Sequence, residues 1–338
     1  MSLPGDGLRA LLSCRSRKDL SHWAYRAKWH FWNRALPISV PVDVSLELAS
    51  LCNMSCSYCY HSEKDVPWKK GFMPVGMARE ILLQSAQLRV PAVKFNWRGE
   101  STAHPKFLEI LSYARALSDD YPGALIDRLT NSNFKFRTDR EDIFRALCQQ
   151  TKVKVSYDSF RKEVFETQRA GGDHALTTAN IDKFYNYPMR ARTGTRLSIQ
   201  AVRTQLNADE DIRAETARRW PGAEVSIRDV VGGRLLSGTG IDHLEVRKRD
   251  ISSRQACTQA FVRLVFTAEG KASPCCPSIS DELFVGDIAK QTVREIFNSE
   301  IARQLRKDLR SKKAFEKDPC LNCSSHESYS TFKPRWSA

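Results

Sequence analysis

Three cysteines fall within eight residues, in the run Leu51-Cys52-Asn53-Met54-Ser55-Cys56-Ser57-Tyr58-Cys59-Tyr60. They follow directly on Val42-Asp43-Val44-Ser45-Leu46-Glu47-Leu48, which alternates with period two and reads as a β-strand. Three thiolates on one tight loop in the spacing C-x3-C-x2-C can hold three irons of a [4Fe–4S] cube and leave the fourth iron without a protein ligand. An iron with an open position can bind a small molecule and pass it an electron, so the loop reads as a reactive site. A zinc site would need a second ligand pair about 12–20 residues further on, and no cysteine follows Cys59 until Cys148. His61 stands two residues after Cys59, poorly placed to close a tetrahedron. A disulfide reading leaves one of the three thiols over.

A chain of 338 residues has room for one large domain and a smaller one. No apolar stretch approaches the ~18–20 residues that span a bilayer. The first residues, Met1 to Arg17, are broken by Asp6, Arg9, Arg15 and Arg17 and do not read as a signal peptide. Ten cysteines without a secretion signal argue for a reducing compartment and for metal use, hence a cytoplasmic address. The formal net charge of +14 thickens at both ends, with seven Lys/Arg against two Asp/Glu in 1–41 and nine against four in 301–338. Such a surplus favours an anionic partner, whether a phosphorylated substrate, nucleic acid or an acidic electron donor, although it also serves solubility.

Residues 1–41 read as an amphipathic helical lead-in in which Trp23, Trp29 and Trp32 alternate with Arg26, Lys28 and Arg34. From 42 to about 232, candidate strands (42–49, 92–97, 124–130, 153–157, 196–203, 223–230) alternate with helical stretches (75–89, 105–117, 139–149, 175–185, 209–219), as in a parallel α/β fold. Gly232-Gly233 and Ser237-Gly238-Thr239-Gly240 mark a linker or loop. The pattern divides the chain into 1–41, a barrel at 42–240, and 241–338, which holds five of the ten cysteines.

The cysteine loop after the first strand, with Tyr58 at the aromatic position before Cys59, resembles the signature of the radical S-adenosylmethionine (SAM) superfamily. Each following strand end adds to the resemblance. Trp97-Arg98-Gly99-Glu100 stands where that family often has Gly-Gly-Glu, with Arg98 in place of the first glycine. The run Arg98 to Pro105 is similar to the family's "GEPLLHP" version. Thr130-Asn131-Ser132-Asn133 looks like its "TNG" turn, and Val155-Ser156-Tyr157-Asp158-Ser159 like its "SxDG". The resemblance implies an α/β partial (βα)6 barrel that binds SAM. Its cofactor-binding residues would be Tyr58, Arg98, Gly99, Glu100, Asn131, Ser156 and Arg203. Glu100 would take the SAM ammonium, Ser156 the carboxylate or ribose, and Arg203 a carboxylate, while Asp158 would face the substrate. For the strand-end residues the plainer reading is loop capping. Arg169-Ala170-Gly171-Gly172 resembles a loop over the active site, with no assigned role.

A second cysteine set reads Cys257-x12-Gly270-x4-Cys275, with Cys276 adjacent and Cys320-x2-Cys323 after a further 43 residues. Two cysteine pairs alone would suit zinc. The intervening sequence, a strand at 261–266, a turn at Glu269-Gly270, a return strand and "GDI…EIF-NS", resembles the auxiliary-cluster domain of the SPASM/Twitch subfamily. A full SPASM domain carries further cysteines, so the resemblance implies one auxiliary [4Fe–4S] cluster on Cys257, Cys275, Cys320 and Cys323. Cys276 would be left over, as a hydrogen-atom donor or as inert packing.

The implied activity is reductive cleavage of SAM to a 5′-deoxyadenosyl radical, which removes a hydrogen atom from a substrate. Oxidation, epimerisation or rearrangement would follow. The implied substrate is small, phosphorylated or sugar-like. Modification of a nucleotide or nucleic-acid base, and peptide maturation through C–C or C–S bond formation, are the alternatives. A flavodoxin or ferredoxin would supply electrons, and no membrane span is expected.

Overall fold

The computed structural model describes residues 38–59, 61, 68–229, 257–275, 283–316, 319–321 and 323. The tryptophan-rich lead-in up to residue 37, the glycine-rich linker, Cys14 and Cys276 lie outside these described residues.

Five βα units and a sixth parallel strand follow one another among the described residues. Strand β1 (Asp43–Leu46) leads to α1 (Val75–Gln87), β2 (Ala92–Lys94) to α2 (Phe107–Asp120), and β3 (Asp127–Ser132) to α3 (Glu141–Leu147). After β4 (Lys152–Ser156) come α4 (Lys162–Gln168), α5 (His174–Tyr185) and α6 (Pro188–Thr193); β5 (Arg196–Arg203) leads to α7 (Ile212–Arg219) and then β6 (Glu224–Asp229). The remainder is α8 (Gln259–Val262), β7 (Arg263–Phe266), β8 (Lys271–Ser273), β9 (Gly286–Asp287), α9 (Val293–Phe297) and α10 (Glu300–Arg310). The strands form one open sheet in the order β6-β5-β4-β3-β2-β1-β7-β8-β9, parallel from β6 to β7 and antiparallel beyond. This is the partial barrel expected.

The two faces of the sheet differ in chemistry. On the outer face Val44, Leu46, Val93, Val153, Val155, Leu197 and Ile199 pack with Ile81, Leu82, Ile110, Leu111, Ile143, Phe144 and Phe184 of the helices. In α2 the buried residues Phe107, Ile110, Leu111, Ala114 and Leu117 recur at three- and four-residue spacing, which is why that helix seats on the sheet. The inner face is polar. Lys94 Nζ reaches Asp43 at 2.7 Å, Lys154 Nζ donates to Gln200 Oε1 at 3.4 Å, and Ser156 Oγ to Asn131 Oδ1 at 3.3 Å. Parallel sheets are normally apolar on both faces, so a polar second face marks this one as the lining of a chamber.

Four local outcomes differ from the sequence expectation. Strand β3 begins at Asp127, three residues late, because Ala124 and Leu125 close the turn after α2 and Leu125 takes φ 47°. Helices α4 and α6 had no counterpart; α6 starts on Pro188 and stops at Gly194, whose φ of 67° is the left-handed cap glycine allows. The strand expected from 261 begins at Arg263, since Gln259–Val262 forms a helical turn. The hairpin β7–β8 joins the barrel sheet directly, with Val44 opposite Leu264 and Leu46 opposite Phe266. A small apolar cluster of Val42, Ala92, Phe261, Val262, Leu309 and Phe315 fastens α10 beneath it. Among the described residues no helix is long and apolar enough to cross a membrane.

Candidate active site

The cysteine loop leaves β1 and is held from three sides at the C-terminal ends of the strands. From β2, Gly99 passes so close that a Cβ there would lie 2.3 Å from the Ala49 carbonyl oxygen and 2.5 Å from that of Leu51, and its φ is +64°. Only glycine fits such an approach. The next N–H, of Glu100, donates to the Leu51 carbonyl at 2.7 Å. From β3, Asn133 Nδ2 donates to Asn53 Oδ1 at 2.7 Å and lies 4.0 Å from Cys52 Sγ, while Lys135 Nζ donates to the Asn53 carbonyl at 3.0 Å. From the α4–α5 connection, the Gln168 and Ala170 carbonyls accept from Ser57 N–H at 2.9 Å and Ser55 N–H at 2.8 Å. The run at 168–170 is therefore a clamp across the cysteine loop.

Glu100 is buried beside Cys52. Its Oε1 accepts from Thr102 N–H (3.1 Å) and Oγ1 (2.7 Å), and its Oε2 from Asn133 N–H (2.7 Å). No cation among the described residues faces it, and burial holds its carboxyl above the usual carboxylate range despite these bonds. Asn131 and the buried Ser156 are brought together across β3 and β4 on the same rim.

Asp158 does not face a substrate space. It is fully buried, and one oxygen accepts from Arg169 Nη2 and Val202 N–H, both at 2.9 Å, while the other takes the Tyr58 hydroxyl. Its side chain is spent on positioning two neighbours of the cysteine loop. Tyr58 is thereby anchored through its hydroxyl, as an apolar stacking role alone would not require. Arg169 lies buried with Nη1 3.7 Å from Cys56 Sγ, and its Nε finds no partner among the described residues. No motif assigned Arg169; the glycine pair behind it was the only signal in sequence.

Two further expectations are corrected by geometry. Arg98 turns away from the rim into a bidentate pair with Glu47, at 2.6 and 2.8 Å, with its guanidinium carbon 4.3 Å from the ring centroids of both Trp68 and Trp97. Glu47 Oε2 also accepts from Ala268 N–H at 2.9 Å. Arg98 thus ties the site loop to β1 and to the C-terminal hairpin. Arg203 spends Nη1 on the carbonyls of Asn207, Ala208 and Glu210, so it caps the turn after β5.

Burial pushes the Cys52 thiol up to about 11 and that of Cys59 to about 12, and raises Cys56. The metal-free site therefore holds thiols, and metal entry must displace their protons. Among the described residues no group of three His, Cys, Asp or Glu is drawn tightly enough for a single metal ion. In the second set, Cys257 and Cys320 pack on the apolar cluster under α10, the Cys323 N–H donates to the Cys320 carbonyl at 3.4 Å, and Cys275 ends the return from β8. The first donor set suits an iron–sulfur cube with SAM on its open iron. It offers three sulfurs on one loop, a buried carboxylate with no facing cation for an amino group, and a buried guanidinium with an open N–H for a carboxylate.

Residues 257–324 match the SPASM family, an iron-sulfur cluster-binding domain. Three solved structures share the fold. BtrN in complex with AdoMet and 2-DOIA is 16% identical with a TM-score of 0.55, over 86% of this chain and 94% of that one. SuiB of Streptococcus suis bound to S-adenosylmethionine is 13% identical with a TM-score of 0.60, over 95% of this chain and 80% of that one. anSMEcpe with bound AdoMet and Cp18Cys peptide is 14% identical with a TM-score of 0.57, over 85% and 87%. Comparison with curated protein sequences finds no match.

Proposed function

We propose that this chain, whose fold is that of radical SAM enzymes and whose residues 257–324 match the SPASM domain, cleaves SAM reductively and removes a hydrogen atom from a small substrate. The observation that carries this reading is the pairing of opposite buried charges on either side of one cysteine loop, Glu100 beside Cys52 and Arg169 beside Cys56. Cys52, Cys56 and Cys59 would hold the cluster. Glu100 would take the SAM amino group, Arg169 Nε its carboxylate, and Asn131 and Ser156 the ribose hydroxyls. When bound and reduced, such a cluster supplies SAM with the electron that releases a 5′-deoxyadenosyl radical.

The chain's own work is to position and to exclude water. Asp158 fixes both Tyr58 and Arg169, so the aromatic ring and the cation of the site share one anchor. Gly99 lets the β2 end close on the cysteine loop, which sets the depth of Glu100. Cys257, Cys275, Cys320 and Cys323 would hold an auxiliary cluster able to accept a second electron, which favours net oxidation over epimerisation or rearrangement. Cys276 remains the candidate hydrogen donor should the product be epimerised.

The test is anaerobic reconstitution with iron and sulfide, followed by dithionite and SAM. The wild type is expected to release 5′-deoxyadenosine and Cys56→Ala to release none. Equal release from both would refute the reading.

A further inference from the structure

A charged side chain reaches a sulfur of the cysteine loop. Arg169 Nη1 donates to Cys56 Sγ at 3.7 Å, and both side chains are buried. The guanidinium is held there from its other arm. Nη2 donates to Asp158 Oδ1 at 2.9 Å, and that oxygen is itself fixed by the Val202 N–H at 2.9 Å. The guanidinium carbon also lies 5.8 Å from the Tyr58 ring centroid, and the Tyr58 hydroxyl is tied to the second Asp158 oxygen. The contact to sulfur is thus built on the ends of β4 and β5. On Cys52 the comparable donor is the neutral Asn133 Nδ2, at a longer 4.0 Å.

A thiolate that accepts a hydrogen bond gives less electron density to the metal it holds, and hydrogen bonds to sulfur are among the factors that set an iron–sulfur potential. A fixed positive charge adds to this. One-electron reduction places one more negative charge on the cluster, and a buried cation stabilises that charge more than a water-screened one would. Asp158 opposes the effect, but it is bonded to Nη2 and not to the Nη1 that meets the sulfur. The hydrogen bond and the charge of Arg169 therefore act in one direction, towards easier reduction.

We infer that Arg169, through its Nη1 contact to Cys56, raises the reduction potential of the cluster on Cys52, Cys56 and Cys59 and so eases its uptake of one electron from a low-potential donor. The inference rests on the radical SAM reading for the presence of that cluster. It gives Arg169 a second role, apart from the carboxylate that its Nε would take.

The test is a redox titration of the full-length protein reconstituted with its clusters, without SAM, followed by EPR of the reduced cluster whose signal is missing from Cys56→Ala. Arg169→Met is expected to lower the midpoint so that the reduced-to-oxidised ratio at a given potential falls about tenfold, a shift of about 59 mV. Asp158→Asn, which removes the opposing charge, should move the midpoint upwards, and the exposed control Arg213→Gln should leave it unchanged. A role confined to holding the loop would instead reduce the iron retained and leave the midpoint of the remaining cluster where it was. An unmoved or raised midpoint in Arg169→Met would overturn the inference. Should Arg169→Met retain no cluster, the decision falls to Asp158→Asn, where an unmoved or lowered midpoint overturns it. Release of 5′-deoxyadenosine by the wild-type protein is measured in parallel. Release with an unmoved midpoint removes the tuning role alone, whereas a shifted midpoint without release removes the radical reading alone.

Discussion

The two cysteine sets solve the same problem in different ways. Cys52, Cys56 and Cys59 sit on one loop, and the strand ends of the barrel hold that loop from outside through Gly99, Asn133, Lys135 and the clamp at 168–170. The set from Cys257 to Cys323 is spread over separate segments, with a small apolar cluster beneath Cys257 and Cys320. The first site is therefore shaped by the strand ends and the clamp around one loop. A cluster bound on the second set would join separate elements, whereas one on the first would sit on a single loop.

The widest separation between the two should come from removing one ligand from each. Cys56→Ala is expected to abolish 5′-deoxyadenosine release and lower iron from about eight to about four per chain, with little change in Tm. Cys320→Ala should lose a similar amount of iron but also lower Tm, read by calorimetry. Equal Tm shifts would break the contrast.

Next in size is the link between the regions. Removing one partner of a buried ion pair costs ~3–5 kcal/mol. Glu47→Ala also strands Arg98 between Trp68 and Trp97 and frees the Ala268 N–H. Urea denaturation should register that loss, while a doubly apolar Glu47→Leu/Arg98→Met chain should recover much of it.

A smaller and more local effect is expected from Gly99→Ala. The left-handed backbone alone costs ~1–3 kcal/mol for a non-glycine residue, and the added Cβ meets two carbonyl oxygens. Iron at the first site should fall while the auxiliary set keeps its own, as Mössbauer or EPR spectra would report.

The smallest effect concerns His104, which closes the turn after Glu100. Its Nε2 lies 2.9 Å from the Met73 carbonyl oxygen and its Nδ1 accepts from Lys106 N–H at 3.0 Å, an arrangement that needs the neutral ring. Burial lowers its folded pKa below the usual 6.5. Below that pH the unfolded chain binds the extra proton, so stability is lost as pH falls through about 6.5. Urea midpoints at pH 7.5 and 5.5 should diverge more in the wild type than in His104→Gln.

The period-two and helical patterns marked the six strands and the five helices between them, because a parallel sheet covered by helices must repeat the same apolar spacing in each unit. The cysteine loop and Gly99-Glu100 were also legible, since each rests on backbone demands that few residues meet. Arg98, Asp158 and Arg203 were legible only as strand-end polar residues. Whether such a side chain turns to a ligand or to a neighbouring loop depends on partners 4–51 positions away, such as Asn207 for Arg203, Arg169 for Asp158 and Glu47 for Arg98. Arg169 could be given no role for the same reason, as nothing local distinguishes it from any other arginine near a glycine pair.

The sequence by itself determined the alternation of strands and helices, the three-sulfur loop and the second cysteine set, because these follow from local periodicity and spacing. Only the tertiary structure decided which charges meet. Closing the strand ends around the cysteine loop set Glu100 and Arg169 on either side of it and sent Arg98 to Glu47. Charges act through space over a few ångströms, and the fold alone sets those distances.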